Sequence, residues 1–158
     1  MTSPHRVEYQ VIGKSVTRGE GPDKVSGKTV YAADVVLPGI LWGKVLRSPY
    51  PSANILSIDT SRAKNLPGVH AIITGQDLPD RLVGRRLCDM PVLARERVRF
   101  VGEKVVAVAA DDPEIAEEAL LLIDVVYEET TAVFDPETAM EPLSPALHPN
   151  MAGYEGLP

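Results

Sequence analysis

Three features of the chain predict an α+β fold. The first is the succession KVVAVAA, DPEIAEEALLLI and DVVYEE across residues 104–129: a continuous apolar strand, a capped helix and a β-prone strand. The second is a shorter echo of it in residues 53–74, ANILSID, TSRAKNLPG and VHAIIT. The third is the balance of elements. Two further strand segments, Ile40–Arg47 and Arg97–Val101, leave several strands against only two substantial helices, which argues against a doubly wound sheet. The expected architecture is a mixed sheet built from two strand-helix-strand units.

Each element has a local reason. Ala53–Asp59 alternates weakly, Thr60 or Ser61 offers a cap for a short helix through Arg62 to Leu66, and Pro67-Gly68 ends it. Val69–Thr74 is strongly β-prone. Pro79 to Pro91 shows no period and reads as a long surface loop. Gly102 separates two β-prone runs where a turn must supply a positive φ or a close backbone approach, while Gly39 follows a proline in a looser loop. The unbroken run Val105–Ala110 suits a strand covered on both faces. Asp112 is an N-cap, Pro113 fits the first helical position, and Glu114, Glu117 and Glu118 place negative charge near the helix start. Ile115, Ala119, Leu122 and Ile123, widened by Ala116 and Leu120, form one apolar face. The core is therefore expected between helix 113–123 and strand 104–110. If the strands flanking that helix are parallel, their crossover is right-handed.

The 158 residues, 44% hydrophobic, suit one globular domain with a real core. The expected organisation is an extended arm over 1–23, a domain over 24–140 and an extended tail over 141–158, where prolines cluster in PLSPALHP. A net charge of −6 removes the electrostatic attraction that drives nucleic-acid binding. MTSPHRVEYQ lacks the apolar core of a signal peptide, and no apolar run reaches a membrane span. The expectation is a soluble cytoplasmic chain with no nucleic-acid or membrane partner.

Chemistry-bearing residues are sparse. Cys88 is the sole cysteine, which precludes an intramolecular disulfide; Arg85 and Arg86 are near, yet no cysteine-family signature surrounds it, and it reads as an idle loop thiol. In TRGEGPDKVSG the third glycine of a dinucleotide loop is replaced by Lys24, Pro22 removes an N–H, and no helical pattern follows, so a flexible turn is expected. His5, His70 and His148 lack metal-ligand spacing. Ser48 lies in RSPYPSA, an extended loop without a nucleophile elbow. Arg95, Arg97 and Arg99 alternate opposite Val98 and Phe100; they could bind an acidic partner surface or a substrate phosphate, but the default is a solvated strand face, and Arg81, Arg85 and Arg86 form a second small basic patch with the same two readings. No catalytic, cofactor-binding or metal-binding residue is assigned.

Three stretches together carry a resemblance: KVSGKTVYAADVVLPGILWGKVLRSPYPSANILSIDTSRAKNLPGVHAIITGQDLP, then MPVLARERVRFVGEKVVAVAADDPEIAEEALLLIDVVYEE, then VFDPETAM. In this order they resemble the N-terminal α/β-hammerhead domain of the molybdenum-binding large subunit of the xanthine dehydrogenase and aldehyde oxidase family. The family often has a histidine-alanine pair after the serine-proline of its loop. Here Ser52 and Ala53 follow Tyr50 and Pro51, so no role of that histidine carries over. The resemblance implies a parent oxidoreductase that works at a molybdenum-pterin centre and passes electrons through iron-sulfur and often flavin (FAD) partners. It implies that the metal contacts lie in downstream molybdenum-binding domains of the same polypeptide, and that this chain alone holds no cofactor. The chain then reads as a scaffold that helps wall the substrate channel or forms subunit contacts. Arg47, Ser48 and Tyr50, in a proline-stiffened loop, are the candidate docking edge. The alternative is a stand-alone small-molecule binding or protein-interaction domain.

Overall fold

The computed structural model describes residues 9–85 and 88–148. The chain divides into two compact units, Met1–Pro38 and Gly39–Pro158, a division that falls inside the 24–140 stretch. In the first, α1 (Gly21–Val25) starts with a proline in its first turn. This corrects the expectation that no helix follows the glycines of TRGEG. A 3₁₀ turn, Ala32–Asp34, is capped by Asp34 Oδ2 accepting the Tyr31 N–H at 2.9 Å.

The second unit contains β1 (Trp42–Arg47), β2 (Ala53–Asp59), α2 (Ser61–Lys64), β3 (Val69–Thr74), β4 (Leu82–Val83), β5 (Met90–Pro91) and β6 (Arg97–Val98). It continues with β7 (Lys104–Ala110), α3 (Pro113–Leu121), β8 (Asp124–Glu129) and α4 (Pro136–Ala139). The α+β class holds, and the sheets are small and antiparallel instead of one mixed sheet. Their orders are β1-β7-β3, β6-β2-β8 and β4-β5, and every pairing is antiparallel. The two strand-helix-strand units exist, but their strands are not neighbours. β2-α2-β3 carries the chain from the second sheet to the first, and β7-α3-β8 carries it back. A crossover hand within one sheet therefore has no meaning here. The loop 79–91 is closed by the short β4-β5 ladder, pairing Leu82 with Pro91.

β7 is the centre of the larger core. It is hydrogen-bonded along both edges, Val108 facing Lys44 on β1 and Ile72 on β3. Val105, Val106, Val108 and Ala110 are buried, while Ala107 and Ala109 on the alternate positions are half covered. α3 packs on this sheet through buried Ala116 and Ala119. Its start follows from chemistry already visible in the sequence: Asp112 Oδ1 accepts the Ile115 N–H at 2.7 Å, with Pro113 at the first turn. α2 is capped differently from expectation. Asp59 Oδ1 accepts the Ser61 N–H at 2.9 Å, and Thr60 makes no side-chain cap. α2 meets α3, and Ala63 joins Ala53, Ala94, Val98 and Ile123 in a core that links the two sheets.

The Gly102 turn has the expected positive φ of 91°, but Gly39 shares the feature at 75°. What separates the two is bonding: the Gly102 N–H donates to the Ser48 carbonyl at 2.8 Å.

Val108 is 2% exposed and Leu121 is 80% exposed. Val108→Asp buries an unpaired carboxylate at a cost of about several kcal/mol, comparable to the stability of a small domain. Thermal melts are expected to lose their cooperative transition in Val108→Asp and to keep it in Leu121→Asp. A cooperative melt in both would contradict the placement of the core.

Candidate functional site

The loop that follows β1 is joined backbone to backbone with the turn that precedes β7. The Ser48 N–H donates to the Glu103 carbonyl at 2.9 Å, the Gly102 N–H returns to the Ser48 carbonyl, and Arg47 Nη1 donates to the Gly102 carbonyl at 2.9 Å. Ser48 is 2% exposed. Its hydroxyl accepts the Tyr50 N–H and donates to the Tyr50 carbonyl, both at 3.0 Å. The serine thus shapes the turn into Pro49-Tyr50, while Arg47 stays exposed and Tyr50 is half-buried.

Tyr50 stacks at a tilt on Tyr127 of β8, with ring centroids 5.1 Å apart. Burial raises the Tyr127 phenol above its ordinary value of 10.0; Tyr50 adds to the rise, and the Ser48 hydroxyl opposes it. A raised folded value means that the protonated phenol contributes stability fully below the unfolded value and loses it as pH rises through the folded one. The alkaline limb of the stability curve, above pH 10.0, is expected to flatten in Tyr127→Phe. Spectrophotometric titration of the tyrosines during urea unfolding across that window checks it.

Two cavities flank this joint. One, about 630 Å³, lies between the Pro51-Ser52 corner, the Phe100-Val101 turn and the segment carrying Phe134 and Leu147. Apolar side chains of its lining are uncovered: Phe100 is 50%, Val101 62% and Phe134 83% exposed. The tail up to residue 148 therefore bounds a cavity as well as following α4, whose Asp135 carboxylate accepts the Thr138 N–H at 2.7 Å. The expected extended tail beyond His148 lies outside the described residues.

The other cavity, about 270 Å³, is lined by Arg81, Arg95, Arg97 and Arg99 together with Asp80 and Glu96. Two arginine groups that are separate in sequence thus meet, with Arg85 outside the lining and Arg86 outside the described residues. The reading of Arg95, Arg97 and Arg99 as one solvated strand face is corrected, because β6 spans only Arg97–Val98 and all three are half-buried. Arg95 Nη2 donates to Gln76 Oε1 at 3.4 Å and Nη1 lies 3.4 Å from Asp80 Oδ1. Arg99 Nη1 is 3.3 Å from Oε1 of Glu103, a 6% exposed carboxylate that also accepts the Arg99 backbone N–H. Gly75 forms part of the wall, since a Cβ there would lie 2.5 Å from the Ala94 carbonyl oxygen and 2.7 Å from Arg95 Cγ. Gly75→Ala is expected to destabilise by about 1–3 kcal/mol through overpacking. Gly43→Ala, where the nearest atom is 3.9 Å away, is expected to change stability much less. Urea midpoints of the two variants test the difference.

Elsewhere the candidates stay dispersed. His70 Nε2 pairs with Asp111 Oδ1 at 2.7 Å, His148 Nε2 lies 3.4 Å from Asp89 Oδ2, and Cys88 is a half-buried free thiol. His5 lies outside the described residues. Among the described residues no three His, Cys, Asp or Glu side chains converge as metal ligands, and no helix is long and apolar enough to cross a membrane. Sequence reasoning missed the 630 Å³ cavity, although the Asp135-Pro136 pair carries the same helix-start signal as Asp112-Pro113.

Residues 26–131 match the family model described as the aldehyde oxidase and xanthine dehydrogenase a/b hammerhead domain. The chain is 45% identical over 140 residues to a probable xanthine dehydrogenase subunit of Bacillus subtilis, a match covering 87% of this chain and 19% of that protein. It is 37% identical over 142 residues to the nicotinate dehydrogenase large molybdopterin subunit of Eubacterium barkeri, covering 89% of this chain and 33% of the relative. In structure it superimposes on a Cu,Mo-CO dehydrogenase in its carbon monoxide reduced state, with TM-score 0.83 and 40% identity, over 88% of this chain and 18% of the other. Quinoline 2-oxidoreductase from Pseudomonas putida 86 matches with TM-score 0.76 and 40% identity, over 82% of this chain and 18% of the other. The chain thus spans about a fifth to a third of the length of these relatives.

Proposed function

Because the chain belongs to the a/b hammerhead domain family of aldehyde oxidase and xanthine dehydrogenase, we propose that it serves as a scaffold domain of a molybdenum-pterin oxidoreductase large subunit. In this reading it packs against the downstream molybdenum-binding part of that subunit and contributes a wall of the substrate channel or a subunit contact. Iron-sulfur and flavin partners carry the electrons, in the cytoplasm, a setting that suits a chain with one cysteine. Among the described residues no three His, Cys, Asp or Glu side chains converge as metal ligands, and no chemical step is assigned to this chain.

The observation that carries the reading is the uncovered apolar surface in the lining of the 630 Å³ cavity, where Phe100, Val101 and Phe134 are exposed. Contiguous apolar surface of this kind marks a contact site. The adjoining loop supplies a firm border. Arg47 and Tyr50 present side chains at it, and buried Ser48 acts through the backbone that it holds. A border already held in place loses little entropy on contact.

The test supplies the 158-residue chain to a large subunit of a relative from which the equivalent stretch has been deleted. Co-elution and recovery of turnover are expected. Phe134→Asp with Val101→Asp should weaken the association roughly tenfold, with melting temperature nearly unchanged because both side chains are at the surface. Two folded species that never associate would overturn the reading, as would stoichiometric molybdenum or aldehyde turnover in the chain alone.

A further inference from the structure

We propose that the four-arginine cavity is an oxyanion-binding site that takes a phosphate or carboxylate group. The inference rests on this chain's own side chains and is independent of the scaffold reading. The cavity brings four guanidiniums against two carboxylates, in a chain whose net charge is −6. Local charge of the opposite sign to the whole is a concentrated feature, and the concave wall of a cavity strengthens its field.

The four arginines are held in two ways. Arg95 and Arg99 are anchored, the first by Gln76 and Asp80 and the second by buried Glu103. Each nevertheless keeps a buried N–H without a hydrogen-bond acceptor: Arg95 Nη1, close to Asp80 but not aligned with it, and Arg99 Nε. Buried donors left unmet are costly, and an oxyanion in the cavity supplies the acceptors they lack. Arg81 and Arg97 make no ion pair among the described residues, so their guanidiniums are not engaged by the Asp80 and Glu96 carboxylates of the same cavity. Arg97 is fixed at its backbone by pairing with Asn54 of β2. The result is a cationic wall in which two anchored guanidiniums keep unmet donors and two more stand outside any ion pair among the described residues. Planar guanidiniums match the paired oxygens of phosphate and carboxylate, whereas chloride offers no such geometry.

Arg97 and Arg99 also line the 630 Å³ cavity, so an anion seated here lies next to apolar surface. A free anion and a carboxylate borne by a partner would share the same contacts. Inorganic phosphate and acetate serve as probes of the two oxyanion classes.

The experiment is a ¹H–¹⁵N NMR titration of the chain with phosphate, acetate or chloride at constant ionic strength. Saturable shifts confined to Arg81 and the 95–99 backbone are expected for phosphate, acetate or both, and the tighter of the two identifies the preferred group. Chloride should give small, non-saturating shifts. Arg81→Gln with Arg97→Gln should weaken binding roughly tenfold or more while the rest of the spectrum is retained. Absence of saturation for both oxyanions, equal behaviour of chloride, or unchanged affinity in the double variant would overturn the site. If the double variant does not fold, the location and saturation of the shifts in the unmodified chain decide the matter.

Discussion

β7 has a strand partner on each edge and α3 across one face, so Val105, Val106, Val108 and Ala110 leave water together. Everything else in the larger unit is placed by that burial. A strand with both edges hydrogen-bonded and an unbroken apolar run from Val105 to Ala110 has little solvent face to compromise, and its register is strongly determined by side-chain alternation. β1 and β3 are set by it directly. α3 follows because Asp112 and Pro113 begin a helix immediately after the strand and Ala116 and Ala119 allow its close approach. The small side chains are important here: alanine lets the helix backbone lie near the sheet, and Ala63 does the same for α2.

The second sheet is coupled to the first through two helices that carry the chain in opposite directions between them. This doubling explains the common core, in which Ala53 and Val98 of one sheet meet Val105 and Val106 of the other. It also explains the joint at Ser48. β1 and β7 come together as antiparallel neighbours, and beyond their register shift at Leu46/Arg47 the chain ends are close enough for Ser48, Gly102 and Glu103 to exchange backbone hydrogen bonds. From this joint Glu103 reaches Arg99, and Tyr50 reaches Tyr127. The arginine cavity and the apolar cavity are therefore consequences of the core, placed where the two sheets' connections meet.

Both cavities depend on features that destabilise an isolated domain. The apolar one leaves Phe100, Val101 and Phe134 in water, giving up the transfer free energy their burial would contribute. The cationic one holds like charges together, and only Asp80, Glu96 and Glu103 offset them. Structures commonly carry such local conflicts where they meet something else, because a site fully satisfied within the chain has nothing left with which to bind.

By itself the sequence determined the local elements: strand 104–110, the Asp112 cap, the tight turn at Gly102 and the β-prone segments at 40–47 (of which 42–47 is strand), 53–59 and 69–74. Each depends on neighbours a few residues apart, through side-chain period, N-cap chemistry or backbone sterics. It also carried the family, because KVVAVAADDPEIAEEALLLIDVVYEE and the glycine-proline spacing upstream are contiguous patterns. Pairing was decided only by the tertiary structure. A strand-helix-strand pattern is compatible with neighbouring parallel strands or with strands in different sheets, and the choice rests on which apolar faces can be buried together. The meeting of Arg81 with Arg95, Arg97 and Arg99, and of Pro51 with Phe100 and Phe134, was likewise beyond sequence reading. Those contacts join segments separated in the chain, so no local periodicity records them; they follow from packing two sheets around one core.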